Sequence, residues 1–473
     1  MTTTDVSFTS GSAPAAAVPL HRLATQLSGR LVEPAAPDFP ALATPWNVAV
    51  PSAPLAVVQV ADAEDVATVV RFAARHNLLV DVRATGHGAA PIERPTLLVH
   101  TGALDSVTVH PEGWARVGAG VRWQQVLDAA APHGLAPLCG SAPGVGVVGY
   151  LTGGGIGPVA RTFGLSSDAV RAFEVVTGDG QVRRAAPTEN PALFWGLCGG
   201  KGTLGIVTAV EFDLPSVSEV YGGCLVFDGA DAREVLQAWS RWTAILPEQA
   251  STSVALQRLP DVPGVPAPLA GRCTLALRFA WVGNPEDGAR ALAPMAGVAA
   301  PVLGSVDVLP YAAIGGVHAD PVDPMPSVES TELLSTLPSE AVDALLAVAG
   351  PEVACPLVVV ELRLLGGALS SAPRHPGAVP HRGAAFSLLA VGLAAPPLRQ
   401  ATAAGAAAVS AAMGPWCTGG ILPNFGGALT AESAARAYDS GTLHRLATLA
   451  DSYDPHRVLA GARAVRDAAA ASR

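Results

Sequence analysis

A histidine between two glycines and a nearby glycine-rich segment are the residues whose types and spacing best indicate chemistry. The histidine is His87, within Arg83–Gly88, and eight of the eighteen residues from Gly140 to Gly157 are glycine. Glycine has no Cβ and accepts positive φ, so a dense run of it lets consecutive amide N–H groups point at an anion such as a pyrophosphate. His87 lies on a short, bent turn, where its imidazole can reach a ligand lying over those glycines. Together the two segments predict a cradle for a phosphate-bearing ligand.

The elements around His87 are predicted to form a strand, helix, strand unit. Apolar patterns predict strands over Ala56–Val60 and Leu78–Arg83. Between them, Asp62 is placed to cap the N-terminus of a helix over Ala63–His76. The second strand ends at the turn, so this unit would present His87 from a rigid edge.

Further elements are predicted along the rest of the chain. Up to about Pro215 these are strands Leu97–Val99, Ser106–His110, Ala115–Ala119 and Ile206–Leu214, a helix over Trp123–His133, and a hairpin of Val170–Thr177 with Val182–Arg184. Beyond it, strands Cys273–Val282, Leu357–Leu365 and Phe386–Gly392 alternate with helices Arg233–Ile245, Ser339–Ala349 and Leu398–Met413. This mixture predicts an α+β region built on a mainly antiparallel sheet. Val317–Pro326 is its longest irregular segment and a candidate substrate loop.

The composition excludes several classes of function. The 473-residue chain has a formal net charge of −10 and no cluster of basic residues, which argues against a nucleic-acid partner. No apolar run reaches the ~18 residues that a membrane-spanning helix needs. Residues 1–30, a predicted flexible tail, lack a secretory signal pattern, so cytoplasmic residence is expected. The six cysteines show no C-x-x-C or metal-ligand spacing, so neither a disulfide framework nor a metal site is expected.

The segment Gly144–Gly149 is a literal G-x-G-x-x-G, the pattern of a nicotinamide dinucleotide site. That fingerprint must follow a hydrophobic strand and open a helix. Leu138–Pro143 does not resemble a strand, and Gly149–Gly157 is poor in helix formers. The context therefore argues against such a site. A NAD-dependent dehydrogenase using Gly144–Gly149 stays an alternative, and a colourless protein that binds NAD would favour it.

Five stretches, in order, resemble the berberine bridge enzyme-like branch of the FAD-linked oxidases, which share the vanillyl-alcohol-oxidase (PCMH-type) flavin fold. Each stretch is weak alone, but their order and spacing make the resemblance specific. They are Arg83–Gly88; Ala142–Gly146; Gly153–Gly157 running into Phe163–Leu165 and Asp168; Trp195–Leu197 with Gly199–Val207; and Asn424 with Tyr453–Pro455.

The resemblance implies an α+β protein whose PCMH-type FAD-binding domain has two α/β subdomains. It implies an FAD domain of residues 31–215, an α+β substrate domain of residues 216–415 and a C-terminal segment, 416–473, that returns to the FAD domain. It also implies that His87 is joined covalently to the flavin 8α-methyl group. The cofactor-binding residues that it implies are Arg83, Thr85, Gly86, His87, Gly88, Ala142, Gly144, Val145, Gly146, Gly149, Tyr150, Gly153, Gly154, Gly155, Gly157, Asp168, Gly202, Gly205, Ile206, Val207 and Asn424.

The chain departs from the family at the second flavin attachment. Ala142 stands where many relatives have a flavin-linking cysteine, and Cys139 lies three residues upstream, so a single link through His87 is expected. Val145 matches a position where valine accompanies access of oxygen to the flavin, with ordinary packing as the alternative. Tyr150 replaces a frequent histidine, and it would either touch the flavin or fill space.

The chain also departs from the family at the catalytic base. Hydride transfer from an alcohol or amine needs a base near the substrate proton. Relatives often carry a tyrosine two residues before an asparagine, but here Leu422 precedes Asn424. Glu361 and Arg363 are candidate substitutes because alternation places both on one face of a strand, with a structural ion pair as the alternative. Asn424 matches a positioning residue, and the further catalytic candidates are Tyr311, His318 and His381.

The sequence thus predicts an FAD-dependent oxidoreductase acting on a small organic alcohol, amine or secondary-metabolite intermediate. Hydride would pass to a His-linked FAD, and O2 would accept the electrons and give H2O2. Ring closure after oxidation stays open, as does the oligomeric state, monomer or homodimer. A non-catalytic flavin-binding protein that has lost the base is a further alternative.

Overall fold

The fold is described from a computed structural model over residues 18–92 and 95–472. Most of the predicted N-terminal tail lies outside these residues. Its described part contains helix α1, Leu20–Ala24, and strand β1, Arg30–Val32. Leu23 is fully buried, so this end of the predicted tail packs onto the protein core rather than extending from it.

The first sheet contains the predicted strand, helix, strand unit. Its strands are β1, β2 (Ala56–Gln59), β3 (Leu79–Arg83) and β4 (Thr96–His100), in the order β1-β2-β4-β3, with α2 (Phe39–Ala43) and α3 (Ala63–His76) beside them. Strands β2 and β3 pair with β4 in parallel, whereas β1 is antiparallel. As predicted, Asp62 caps α3, because its Oδ1 accepts a hydrogen bond from the Asp65 N–H at 2.9 Å.

The second sheet is antiparallel and has five strands. These are β5 (Val107–His110), β6 (Trp114–Gly118), β7 (Val170–Val176), β8 (Val182–Ala185) and β9 (Ile206–Asp213), in the order β5-β6-β9-β7-β8. The hairpin of β7 and β8 confirms its prediction. The neighbouring helices are α4 (Trp123–Ala130), α5 (Val147–Thr152), α6 (Ala160–Phe163) and α7 (Pro191–Leu197).

Helix α5 corrects one sequence-based expectation. A helix does begin directly after Gly146, although the segment is rich in poor helix formers. Its buried residues Val147 and Leu151 pack into the protein core, so tertiary contacts outweigh the low helix propensity of glycine. The residues before it, 136–146, form no strand, so the βαβ context of a dinucleotide fingerprint is still missing.

The third sheet has seven strands, and every neighbouring pair in it is antiparallel. The strands are β10 (Glu219–Asp228), β11 (Ala250–Arg258), β12 (Cys273–Trp281), β13 (Leu303–Pro310), β14 (Ser327–Leu334), β15 (Val359–Leu364) and β16 (Phe386–Leu393), in the order β13-β10-β12-β11-β15-β16-β14. Helices α8 (Ala232–Thr243), α9 (Pro285–Ala296), α10 (Ser339–Ala349) and α11 (Arg399–Met413) accompany it. The predicted α+β region built on a mainly antiparallel sheet is therefore confirmed.

The faces of this sheet follow from the alternation of its residues. Val360, Leu362 and Leu364 of β15 pack into a core with residues of α8, α10 and α11. Glu361 and Arg363 lie on the opposite face. Leu365, just beyond the strand, packs there against Ile156 and Ala160 of the glycine-rich region. The prediction that Glu361 and Arg363 share a face is confirmed, and that face meets the glycine-rich region.

The C-terminal segment returns to the first two sheets. It forms α12 (Ala431–Ala437), α13 (Ser440–Tyr453) and α14 (Ala462–Ala471), and its apolar residues share one core with β3, β7 and β9. The Val80 N–H of β3 donates to Val458 O at 2.7 Å, and the Ala460 N–H donates to Val80 O at 2.9 Å. Among the described residues, no helix is both long and apolar enough to cross a membrane.

Candidate active site

The His87 turn is held at its start by Arg83, the last residue of β3. Arg83 is 3% exposed, and its Nη1 donates to the Ala43 carbonyl and, at 3.2 Å, to Ser52 Oγ. Gly86 has φ of +80°, and a Cβ there would lie 2.9 Å from Pro45 Cα. A side chain at that position would meet both backbone strain and a clash. The turn is therefore anchored by protein contacts before any ligand binds.

His87 is uncharged and fixed in orientation. Its Nδ1 lies 2.9 Å from Thr85 Oγ1, and its ring stacks on Trp46 at 4.7 Å with an interplanar angle of 18°. Burial, with a smaller effect from Arg122, lowers the pKa of His87 to about 4. The imidazole is thus neutral at pH 7, and with Nδ1 occupied by Thr85 its Nε2 is the free ring nitrogen. A neutral, oriented imidazole is what a covalent link to an electrophilic carbon requires.

Several glycines around this turn face open space. A Cβ built on Gly144, Gly149, Gly202 or Gly427 would have no atom within 4 Å. Gly146, between the first two, would meet only the side chains of Ala84 and Thr85, at 3.5 Å or more. Backbone therefore borders open space next to the His87 turn, which we call the cleft, and such a surface suits the pyrophosphate and ring edge of FAD.

Other glycines of the predicted cradle are required by protein packing instead. A Cβ on Gly153 would lie 1.8 Å from Asn424 Oδ1, and one on Gly157 would lie 1.9 Å from Cys139 O. At Gly155, where φ is +78°, a Cβ would lie 2.5 Å from the Tyr150 ring. These glycines bring the loop into contact with its neighbours, and they shape the cleft without facing it. Gly205, against Val175 and Val176 at 2.6–2.8 Å, belongs to the same group.

Asn424 connects the C-terminal segment to the cradle. Its Nδ2 donates to Tyr150 O at 2.8 Å. Lys201, the only lysine of the chain, fixes the same segment, because its Nζ donates to Pro423 O at 2.5 Å and to the Gly427 carbonyl. Burial, opposed by the charge of Glu329, lowers the pKa of Lys201 to about 8. Sequence reasoning assigned no role to Lys201, although a single lysine within a glycine cluster was the available signal.

Two predicted cofactor residues lie in different surroundings. Asp168 forms a salt bridge with Arg382 at 2.5 Å and accepts the Leu165 N–H at 3.1 Å, which is a structural role. Tyr150 is half-buried beside the glycine loop, and the burial of its hydroxyl raises the pKa of that group. Cys139 is fully buried, and burial raises the pKa of its thiol to about 12. A protonated, enclosed thiol does not form a second flavin link.

The opposite wall of the site is the charged face of the third sheet, whose charged groups are buried against the glycine loop. Arg278 of β12, Ser253 of β11 and Arg363 of β15 occupy one row, as successive cross-strand partners. Arg363 Nη1 donates to Ile156 O of the glycine loop at 3.4 Å, and its guanidinium lies 5.6 Å from the Phe425 ring centroid. Arg363 therefore contacts both the cradle loop and the segment that carries Asn424.

Glu361 lies within this cluster as a bound anion. Arg278 Nη1 donates to its Oε1 at 2.9 Å, and Arg363 Nη2 lies 3.3 and 3.2 Å from Oε1 and Oε2. Burial raises the pKa of Glu361, but Arg363, His318 and Arg278 together outweigh it and hold the pKa well below its usual range. The ion pair considered from the sequence is present, and Glu361 is ionised with both oxygens engaged.

His318 completes the cluster. Its Nε2 lies 3.6 Å from Glu361 Oε1 and 3.4 Å from Arg363 Nη2, and its side chain is 6% exposed. We assign the ring proton to Nε2, because a carboxylate attracts an N–H, whereas Arg363 Nη2 already donates to Glu361. Nδ1 then carries the lone pair, and it has no partner among the described residues. Burial lowers the pKa of His318 more than Glu361 raises it, so the ring is neutral.

A cavity joins these groups to the cradle loop. It is lined by Ile156–Pro158 of that loop and by residues of the sheet and its connections, and its volume of about 20 Å³ admits about one water-sized group. His318, Arg278 and Arg363 line it, whereas Glu361 lies behind them. Arg161 also lines it, and all the hydrogen bonds of its guanidinium go to backbone carbonyl groups, those of Ala250, Leu246, Pro247 and Leu365.

The remaining catalytic candidates lie elsewhere. Tyr311 is 2% exposed rather than at the surface, and its hydroxyl donates to Pro137 O at 2.9 Å. His381 Nε2 lies 2.9 Å from Arg436 O. Neither residue lines the cavity. Sequence reasoning missed three residues of the site, Trp46, Arg161 and Arg278. Only Arg278 gave a signal in the sequence, because it is a single charged residue within an apolar strand. The described residues contain no group of three or more side chains suited to hold a metal ion.

Comparisons with known proteins agree with this geometry. Residues 54–186 match the FAD binding domain family. The (R)-6-hydroxynicotine oxidase of Paenarthrobacter nicotinovorans is 32% identical over 221 residues, which are 42% of this chain and 48% of that protein. The crystal structure of 6-hydroxy-D-nicotine oxidase from Arthrobacter nicotinovorans aligns with a TM-score of 0.80 at 23% identity, over 92% of this chain and 97% of that one.

A plant protein extends the likeness to the family suggested by the motifs. Physcomitrella patens BBE-like 1 aligns with a TM-score of 0.81 at 18% identity, over 93% of this chain and 97% of that one. Identities this low establish the fold alone. The first curated relatives are matched over only about a third to a half of their own length, 34% and 48%. Residues 54–186 therefore match an FAD-binding domain, within a chain that has the PCMH-type flavin fold.

Proposed function

We propose that the chain is an FAD-dependent oxidase that takes hydride from a small organic alcohol, amine or secondary-metabolite intermediate. FAD is attached once, through His87, and O2 accepts the electrons and gives H2O2. One observation carries the proposal: glycines that border open space lie beside a neutral, oriented histidine, and the same glycine-rich loop contacts, through Ile156 and Arg363, the cluster that contains the unpartnered Nδ1 of His318.

The residues of the cradle fit FAD. Gly144, Gly149 and Gly202 have no side chain and border open space. They therefore leave room for the pyrophosphate and the edge of the flavin ring. His87 Nε2 is the free nucleophile for the flavin methyl carbon. The alanine at position 142 and the enclosed thiol of Cys139 support a single link. Bound FAD supplies a two-electron acceptor that the twenty amino acids lack.

His318 is the proposed base, and Glu361 positions it. Nδ1 is the one unpartnered acceptor nitrogen that we find lining the described cavity, so it can take the proton of a substrate O–H or N–H. Glu361 holds the Nε2–H tautomer and stabilises the imidazolium that forms. Arg278 and Arg363 fix Glu361 in turn. This replaces the missing family tyrosine with a pair formed by His318, from the connection after β13, and Glu361 of the third sheet.

Three similar proteins support the substrate class at this coarse level. The curated relative is by name a nicotine-derivative oxidase, and the structural neighbours include chitooligosaccharide and carbohydrate oxidases. Small organic substrates are common to them, whereas the individual substrate differs. We carry over only that class.

The test is acid denaturation of the purified protein followed by peptide mass analysis and an H2O2 assay. Flavin retained on the peptide that contains His87 alone, with peroxide formed on oxidation of a substrate, is the expected result. Flavin released into the supernatant would contradict the covalent link. Retained flavin that no alcohol or amine bleaches would instead favour a non-catalytic flavoprotein, and a colourless protein that binds NAD would favour a dehydrogenase.

A further inference from the structure

The cavity between the glycine loop and the third sheet holds more positive charge than the chain compensates. Three arginines, Arg161, Arg278 and Arg363, line it, and its lining contains no aspartate or glutamate. Glu361, behind the lining, supplies one negative charge. With His318 neutral, the three lining arginines and Glu361 leave an excess of two positive charges within the cavity wall, and the exposed carboxylate of Glu248 acts on Arg161 from outside the cavity.

This excess positive charge is buried, so it lowers the stability of the fold unless an anion lies nearby. Arg278 is 4% exposed and Arg363 8%. Arg161, 6% exposed, has only carbonyl oxygens as acceptors for its guanidinium. Buried charges that lack a counter-charge pay a desolvation penalty that a paired anion offsets. The cavity therefore favours a ligand group with negative charge.

The hydrogen-bonding groups of the cavity point to the same ligand chemistry. Arg278 Nε and Ser253 Oγ are buried and have no partner among the described residues. Ser253 is 2% exposed and lies between Arg278 and Arg363 on adjacent strands. Two unused donors in an arginine-lined cavity match the two oxygens of a carboxylate. Unsatisfied buried donors cost free energy that such a ligand would recover.

The size of the space limits what enters it. A volume of about 20 Å³ accepts a small terminal group such as a carboxylate, and any ring attached to that group must lie outside the cavity. From these observations we propose that Arg278, Ser253 and Arg363 form an anion subsite that binds a carboxylate of the substrate. The oxidised carbon would then lie nearer the cradle, beside His318. The substrate class is thus a small carboxylic acid that also bears an alcohol or amine, and this rests on the proposed function.

The experiment compares benzoate with benzamide, its neutral analogue, on the purified full-length protein by isothermal titration calorimetry at low salt. We expect benzoate to bind at least tenfold more tightly. Arg278→Met should remove most of that preference, and Ser253→Ala, which deletes only a hydroxyl, should weaken benzoate several-fold. Arg233→Met is the matched control, since that arginine is exposed and pairs with Asp343.

The outcomes separate this subsite from the proposed function. Benzamide binding as tightly as benzoate, no binding of either, or full benzoate affinity in both cavity variants overturns the subsite. If circular dichroism shows that Arg278→Met does not fold, the benzoate affinity of Ser253→Ala decides the test instead. Calorimetry needs no flavin turnover, so a protein that binds benzoate selectively but oxidises nothing keeps the subsite and loses the oxidase. If alcohols or amines reduce the flavin equally well with and without a carboxylate, the oxidase is kept and the subsite is lost.

Discussion

The two walls of the candidate site recognise ligands in opposite ways. The cradle wall presents backbone, with glycines that leave space and one neutral histidine. The sheet wall presents buried charge, with Arg278, Arg363 and a carboxylate behind them, and Arg161 of α6 lies next to it. Backbone recognition suits a cofactor that stays, because it is rigid and needs no counter-charge. Side-chain charge suits a substrate, because its pattern can change without disturbing the fold.

The largest expected effect comes from the cradle histidine. His87→Ala should abolish acid-stable flavin completely, because no other described residue near the cleft offers a neutral, oriented nucleophile. Acid precipitation and absorbance of the pellet measure this. His381→Ala is the control, since His381 is another turn histidine but contacts Arg436 O rather than the cleft. If His87→Ala still contained acid-stable flavin, His87 would not be the residue to which the flavin is attached.

The next effect tests the sheet wall. His318→Gln should lower kcat by about 10²–10⁴, because the base is lost while the shape of the side chain is roughly kept. Steady-state oxygen consumption measures it, with covalent flavin content as the check that the cradle is intact. A kcat within a factor of three of the parent would show that the proton leaves by another group.

A pair of glycine variants separates the two kinds of cradle glycine. Gly155→Ala should destabilise the fold by roughly 1–3 kcal/mol, since φ is +78° and the Cβ would lie 2.5 Å from the Tyr150 ring. Gly149 lies in α5, and a Cβ there has no atom within 4 Å. In Gly149→Ala the free energy of unfolding should therefore stay the same or rise by up to about 1 kcal/mol. Thermal unfolding measures both. Gly149→Ala should instead lower flavin occupancy, and equal stability losses in the two variants would contradict the division.

The smallest expected effect is a shift in pH dependence. His318 is active as the neutral base, and its pKa lies below 6.5, so kcat/KM should be constant near neutrality and fall as the pH drops through that lowered pKa. Glu361 raises the pKa of His318. Glu361→Gln should therefore move this acid limb to lower pH while reducing kcat. A limb that stays in place would mean that Glu361 does not act through His318.

The cradle could be predicted from the sequence because glycine spacing is local. Gly144 and His87 needed no knowledge of strand pairing to be recognised as parts of a binding turn. The packing roles of Gly153 and Gly157 could not be foreseen, because their neighbours, Asn424 and the Cys139 carbonyl, are distant or depend on loop shape. Helix α5 formed against its propensity because buried contacts of Val147 and Leu151 decide the conformation.

The sheet wall was only half predictable. Alternation placed Glu361 and Arg363 on one face, which requires a single strand. Arg278 joins them through β11, and cross-strand register cannot be obtained from one sequence by spacing alone. His318 lies in the irregular segment after β13 and gave no periodic signal. Charge clusters built across strands therefore need the structure, whereas backbone cradles do not.

The return of the C-terminal segment sets an order of events during synthesis. Val458 and Ala460 complete the hydrogen bonding of Val80, in the strand that leads to His87, and α13 and α14 fill the core beneath it. A ribosome must therefore translate beyond residue 460 before the strand that presents the histidine is fully paired. Flavin attachment should therefore follow synthesis of the segment that contains Val458 and Ala460. A shortened chain ending near residue 430 should emerge colourless, however intact its glycine motifs.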